Sequence, residues 1–114
     1  MEKEKNKNIL SPKKVVLSFF HYGKKKEITI TTLSLGRFPE TGWNAVITTA
    51  SSSLFSSGKE VPDNAIRDAL SQALGVKFHE LNVKFDERSG TAEIEVLENT
   101  SREERVVHSF ILQL

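Results

Sequence analysis

The chain reads as an α+β domain: one antiparallel sheet of five or six strands with one main helix packed across a face, ordered strand–strand–(strand)–helix–strand–strand–strand. Three observations predict this class. Residues 62–74 repeat apolar side chains at helical spacing between a start and a stop signal. Residues beyond 80 alternate apolar and polar side chains over three segments. Residues 15–35 hold two segments rich in β-branched and aromatic side chains on either side of a glycine.

The helix is predicted over Pro62–Leu74. Pro62 suits a first turn because it has no amide hydrogen to leave unpaired. Asp63 places a negative charge near the positive end of the helix dipole. Ile66, Ala69, Leu70, Ala73 and Leu74 form one apolar stripe. Gly75 can adopt the left-handed closing conformation, and Val76 supplies the hydrophobic contact that accompanies it.

Three strands follow, over Glu80–Asp86, Thr91–Leu97 and Arg105–Leu114. Leu81, Val83 and Phe85 alternate with Asn82 and Lys84; Ala92, Ile94 and Val96 alternate with Glu93 and Glu95. Glu87–Gly90 makes the intervening hairpin loop. The last strand carries Val106, His108, Phe110, Leu112 and Leu114 on one face and Val107 and Ile111 on the other. That two-sided apolar character predicts a central or doubly covered position.

Ahead of the helix, Val15–Tyr22 and Glu27–Leu35 are predicted to pair as a hairpin turned by Gly23–Lys26. The apolar phase of the second strand moves from Ile28 and Ile30 to Leu33 and Leu35, which predicts a bulge at Thr31–Thr32. Gly36–Gly42 is a loop by its glycine and proline content. Trp43, Val46, Ile47, Ala50 and Leu54 fall at helical spacing, but the run Val46–Thr49 is β-branched and Ser51–Ser53 is a poor helix interior. Residues 43–50 are therefore assigned as a third strand. The Ser/Thr-rich stretch to Ser57 is read as a polar connector, broken at Ser56–Glu60. Residues 1–13 are expected to be a disordered basic lead, and residues 14–114 a single domain.

Charge is unevenly placed. Residues 1–26 hold eight lysines against two glutamates, a net of +6, while the remaining eight basic residues face thirteen acidic ones, a net of −5. There is no cysteine, which excludes disulfides, thiol catalysis and cysteine-ligated metals. No apolar run approaches the roughly 18 residues that span a bilayer, and the polar lead lacks the apolar stretch of a signal peptide. A cytoplasmic location is the expectation, with no membrane partner.

No catalytic set emerges from the linear pattern. His21, His79 and His108 fall on different elements, with no metal-ligand spacing, so no metal or cofactor is predicted. His108 shares an apolar face with Val106 and Phe110, and is read as a buried imidazole satisfied by one hydrogen bond. Glu93 and Glu95, about 7 Å apart on a strand, are read as a solvated face. Ser56-Ser57-Gly58-Lys59-Glu60 fails as a phosphate loop, because Ser53 stands where the first glycine belongs and Glu60 where a hydroxyl belongs.

The predicted function is therefore a small non-enzymatic module for protein interaction or self-association, acting through an exposed sheet face or an edge strand. Trp43, Val107 and Ile111 are its candidate interface residues, and homodimerisation is the simplest way to cover an exposed face. The alternative is nucleic-acid binding. In it Phe20 and Tyr22 stack bases, while Lys24, Lys25, Lys26 and the nearby Arg37 neutralise phosphates.

Overall fold

The computed structural model describes residues 9–10 and 14–114. Its elements are β1 (Ile9–Leu10), β2 (Val15–His21), β3 (Lys24–Phe38), β4 (Gly42–Thr49), β5 (Ser53–Lys59), α1 (Pro62–Leu74), a 3-10 turn (Phe78–Glu80), β6 (Leu81–Asp86), β7 (Thr91–Asn99) and β8 (Glu104–Gln113). The predicted class holds: antiparallel sheet structure with one α-helix. The predicted single sheet of five or six strands does not. The strands form two four-stranded sheets, ordered β2-β3-β4-β5 and β1-β8-β7-β6. Each is an antiparallel meander except where β1 runs parallel to β8, with Ile9 opposite Ile111 and Leu10 opposite Leu112. The remainder of the lead expected to be disordered, residues 1–8 and 11–13, lies outside the described residues.

Two departures explain the second sheet. Ser53–Lys59, read as connector, is the edge strand β5, antiparallel to β4 with Val46 opposite Phe55 and Ile47 opposite Leu54. Serine is neutral on a half-exposed strand, and Leu54 and Phe55 mark its two faces. The helix then intervenes between β5 and β6, so the next meander begins afresh instead of extending the first.

β3 is also longer than predicted. Its first half pairs with β2 and its second half with β4, and the register shifts between Ile30 and Thr32, at the expected bulge. That extra residue lets one strand serve two partners while keeping Ile30 and Leu33 both inward.

α1 occupies its predicted span. Gly75 adopts φ 70°, and its N–H and that of Val76 both donate to the Ser71 carbonyl at 3.0 and 3.1 Å. The last turn has no basic residue of its own, and Lys26 Nζ on β3 donates to the Gly75 carbonyl at 3.1 Å instead. The helix packs against β3, β4, β5 and β6 and so bridges both sheets. Ile66 and Leu70 from the helix, Ile30 and Ile47 from the first sheet, and Leu81, Ile94 and Leu112 from the second meet in one core.

Candidate interaction surface

The strand period of two decides what each sheet shows to its surroundings. On the first sheet, Leu17, Phe19, Ile30, Leu33, Ala45 and Ile47 point inward and are buried. The outward positions of the second half of β3, of β4 and of β5 are Thr32, Ser34, Gly36, Phe38, Gly42, Asn44, Val46, Thr48, Ser53, Phe55 and Ser57. None is charged, in a chain that is 27% charged. Phe55 is 65% exposed and its cross-strand neighbour Val46 39% exposed. Val16 and Phe20 continue the apolar character onto β2, beside the face's two charges, Lys25 and Glu27. On the second sheet, by contrast, the outward positions of β6 and β7 are Asn82, Lys84, Glu93 and Glu95.

The lysine cluster is placed differently from the expectation. The turn is Tyr22–Gly23, with φ of 52° and 78°, the backbone signs of a tight two-residue hairpin. Lys24–Lys26 are therefore the start of β3 and alternate in direction. Lys25 stands opposite Phe20 on the outer face, whereas Lys24 and Lys26 stand opposite His21 and Phe19. Lys24 and Lys26 line a recess of about 360 Å³ with His21, Tyr22, Lys77 and Glu80. Arg37 is exposed at the opposite end of β3, paired with Trp43, and does not join the lysines.

The other predicted interface residues are likewise separated. Trp43 is half-buried against the core and lines an open recess of about 470 Å³ with Leu33, Leu35, Phe85 and Leu114. Val107 sits where the β7–β8 register shifts and packs partly against the core. Ile111 is half-buried and stands in register with Ile9 on β1 and Glu93 on β7. These three do not form one surface. His108 is half-buried and held between rings, with no side-chain hydrogen bond among the described residues. It stacks on Phe19 with centroids 5.1 Å apart and lies 5.5 Å from Phe110, and burial pushes its imidazole pKa down.

A buried polar cluster that the linear pattern did not reveal joins the two sheets. His21, Glu80 and Glu98 are 5%, 5% and 7% exposed. His21 Nε2 donates to the Leu97 carbonyl at 2.9 Å and lies 3.7 Å from Glu80 Oε1. The Tyr22 N–H donates to Glu98 at 2.5 Å, and Arg105 donates to the same carboxylate at 3.2 Å. The Tyr22 hydroxyl accepts from the Asn99 N–H at 2.8 Å. The Tyr22 N–H holds Glu98 below the usual carboxylate range against the upward push of burial, and Arg105 and His21 add to the lowering. For Glu80, burial pushes the pKa up, but the Lys77 N–H, Tyr22, His21 and His79 together bring it below its ordinary value. The partners are some 76 residues apart in sequence, so no local motif announces them.

His21, Tyr22 and Glu80 line the recess beside Lys24 and Lys26, but the polar groups of the cluster are already engaged with one another and with the backbone. Its carboxylates already accept hydrogen bonds, and the His21 nitrogen facing Glu80 is committed to a backbone carbonyl. It acts as a clasp between the first hairpin and the end of β7. Among the described residues, no group of three His, Asp or Glu side chains is arranged to hold a metal ion, and no helix is long and apolar enough to cross a membrane. Compared with models of protein families, with curated proteins and with solved structures, the chain matches none.

Proposed function

We propose that this protein works by contact rather than by catalysis, and that its contact surface is the outer face of the first sheet. The observation that carries this reading is the uncharged patch on β3, β4 and β5 around Val46 and Phe55. An exposed phenylalanine next to an exposed valine, on strands without outward charge, has the aromatic content and the depletion of charge that mark an interface centre. The surface differs from the one expected around Trp43, Val107 and Ile111, but the mode of action is the same.

The nucleic-acid alternative draws less support. Stacking and phosphate neutralisation need rings and cations on one face, and Lys25 alone of the three turn lysines shares a face with Phe20.

Photo-reactive residues placed singly at Phe55 and at Glu93, in the full-length protein within the cells that make it, test the reading. A discrete cross-linked product from position 55 and none from position 93 is expected. Products from position 93 alone, or from neither, would remove the basis for the proposal.

A further inference from the structure

We propose that a recess at the β6 edge of the second sheet binds a small zwitterion, a molecule with a carboxylate and an ammonium group on one short skeleton. The inference goes beyond the contact reading and concerns a different part of the molecule. The recess measures about 320 Å³ and is lined by Arg67 from α1, Asn82, Val83 and Lys84 from β6, and Glu93 and Glu95 from β7. That volume lies at the small, metabolite-sized end of ligand sites.

Arg67 supplies the first argument. Its side chain is half-buried, and its guanidinium lies over the Phe78 ring, 4.8 Å from the centroid. Its Nε is buried with no hydrogen-bond acceptor among the described residues, and the guanidinium forms no ion pair with any of them. A buried donor without an acceptor is costly, so such groups are rare in folded proteins. Stacking on Phe78 fixes the plane of the guanidinium, which prepares its terminal N–H groups for the paired oxygens of a carboxylate.

The second argument is that charge is segregated across the recess. α1 packs against β6, and β6 pairs with β7. Both cations, Arg67 and Lys84, thus stand on the α1 and β6 side, and both carboxylates stand on β7. Lys84 is directly opposite Glu93, yet the two form no ion pair. The Asn82 amide donates to Glu95 Oε1 at 3.3 Å and holds that carboxylate beside the recess. A simple anion bound at Arg67 would face two glutamates, and a simple cation bound at the glutamates would face Arg67 and Lys84. A ligand with one negative and one positive end gains at both walls. Lys84, Glu93 and Glu95 are open to water, which keeps each contact weak, and dissociation constants of roughly 1–10 mM are expected.

Titrating the full chain with glycine, β-alanine, γ-aminobutyrate and δ-aminovalerate, read by amide shifts and the Arg67 Nε–H resonance, is the test. At least one should give saturable shifts at Asn82–Lys84, at Glu93–Glu95 and at Arg67. Butyrate and butylamine, which carry one charge each, should bind at least about tenfold more weakly than the best of the four. Arg67→Lys keeps the charge but loses the planar fork, and should weaken binding by about tenfold. Glu93→Gln and Glu95→Gln together, at exposed positions where folding is not at risk, should make the best zwitterion bind no better than butyrate. Absence of saturable shifts with all four zwitterions overturns the inference. So does equal binding of butyrate or butylamine, binding indifferent to Arg67→Lys, or a zwitterion preference that survives loss of both glutamates. A small ligand gives no protein cross-link at position 93, so this site and the contact surface stand or fall separately.

Discussion

On the second sheet, β6 and β7 turn Asn82, Lys84, Glu93 and Glu95 outward; on the first, β4 and β5 turn out Asn44, Val46, Thr48, Ser53, Phe55 and Ser57. The inward sets of the two sheets are alike, being Ala45 and Ile47 on one and Leu81, Val83, Ala92 and Ile94 on the other. Folding thus asks the same of both sheets, and gives no reason for their outer faces to differ. Charge on an outward strand position keeps a sheet solvated and discourages association. That protection is spread over β6 and β7 of the second sheet, whereas on the first it is confined to Lys25 and Glu27 and is missing from the outward positions of β4 and β5.

The largest effect should separate inward from outward positions. Ile47→Ala and Ile94→Ala each remove a side chain at 0–1% exposure and should cost about 2–5 kcal/mol in urea unfolding. Their sequence neighbours Val46→Ser and Glu95→Gln should each change stability by less than about 0.5 kcal/mol. A large cost for Val46→Ser would mean that this face is already needed by the monomer, and the contrast between the sheets would lose its functional meaning.

The clasp between the sheets gives the next effects. Tyr22→Phe removes the hydroxyl that accepts from the Asn99 N–H, and should cost about 1 kcal/mol. Because the folded Glu98 carboxyl lies below its unfolded value, its stabilising contribution is complete above the unfolded pKa of about 4.3. That contribution is lost as pH falls through the lower folded value. Glu98→Gln should therefore flatten the acid limb of a stability–pH curve. An acid limb as steep in the variant as in the wild type would show that Glu98 does not hold the hairpin.

His108 adds a smaller slope at higher pH. Burial lowers its folded pKa, so the unfolded chain binds the proton more readily. Stability should be complete above about pH 6.5 and decline as pH falls toward the lowered value. His108→Phe keeps the ring stack on Phe19 and should abolish that decline. Smallest of all, replacing Lys25 by Ser should leave unfolding unchanged within about 0.5 kcal/mol, whereas Lys26→Ser loses the bond to the Gly75 carbonyl at the end of α1. Retention on heparin that disappears with Lys25→Ser alone would reopen the nucleic-acid reading.

Elements with a strong local signal were legible in the residues themselves. The helix from Pro62 to Leu74, its Gly75 cap and the bulge near Thr31 follow from spacing and phase, which are properties of neighbours in sequence. The edge strand β5 was not legible, because Ser53, Ser56 and Ser57 look like a connector until Leu54 and Phe55 are paired with β4. The division into two sheets depends on which strands meet, and the clasp depends on His21 and Tyr22 meeting Leu97, Glu98 and Asn99. Neither is encoded at short range. The uncharged outer face falls between these cases. Its serines, threonines and exposed phenylalanine are plain in the sequence, but only the register shows that they share a side.

Photo-cross-linking scanned over both outer faces, in the cells that make the protein, tests the central claim most directly, because it samples both sheets in one set of measurements. Products from Thr32, Ser34, Val46, Thr48 and Phe55, with Lys84, Glu93 and Glu95 silent, are the expected map. Products centred on β6 and β7, or none at any position, would contradict it.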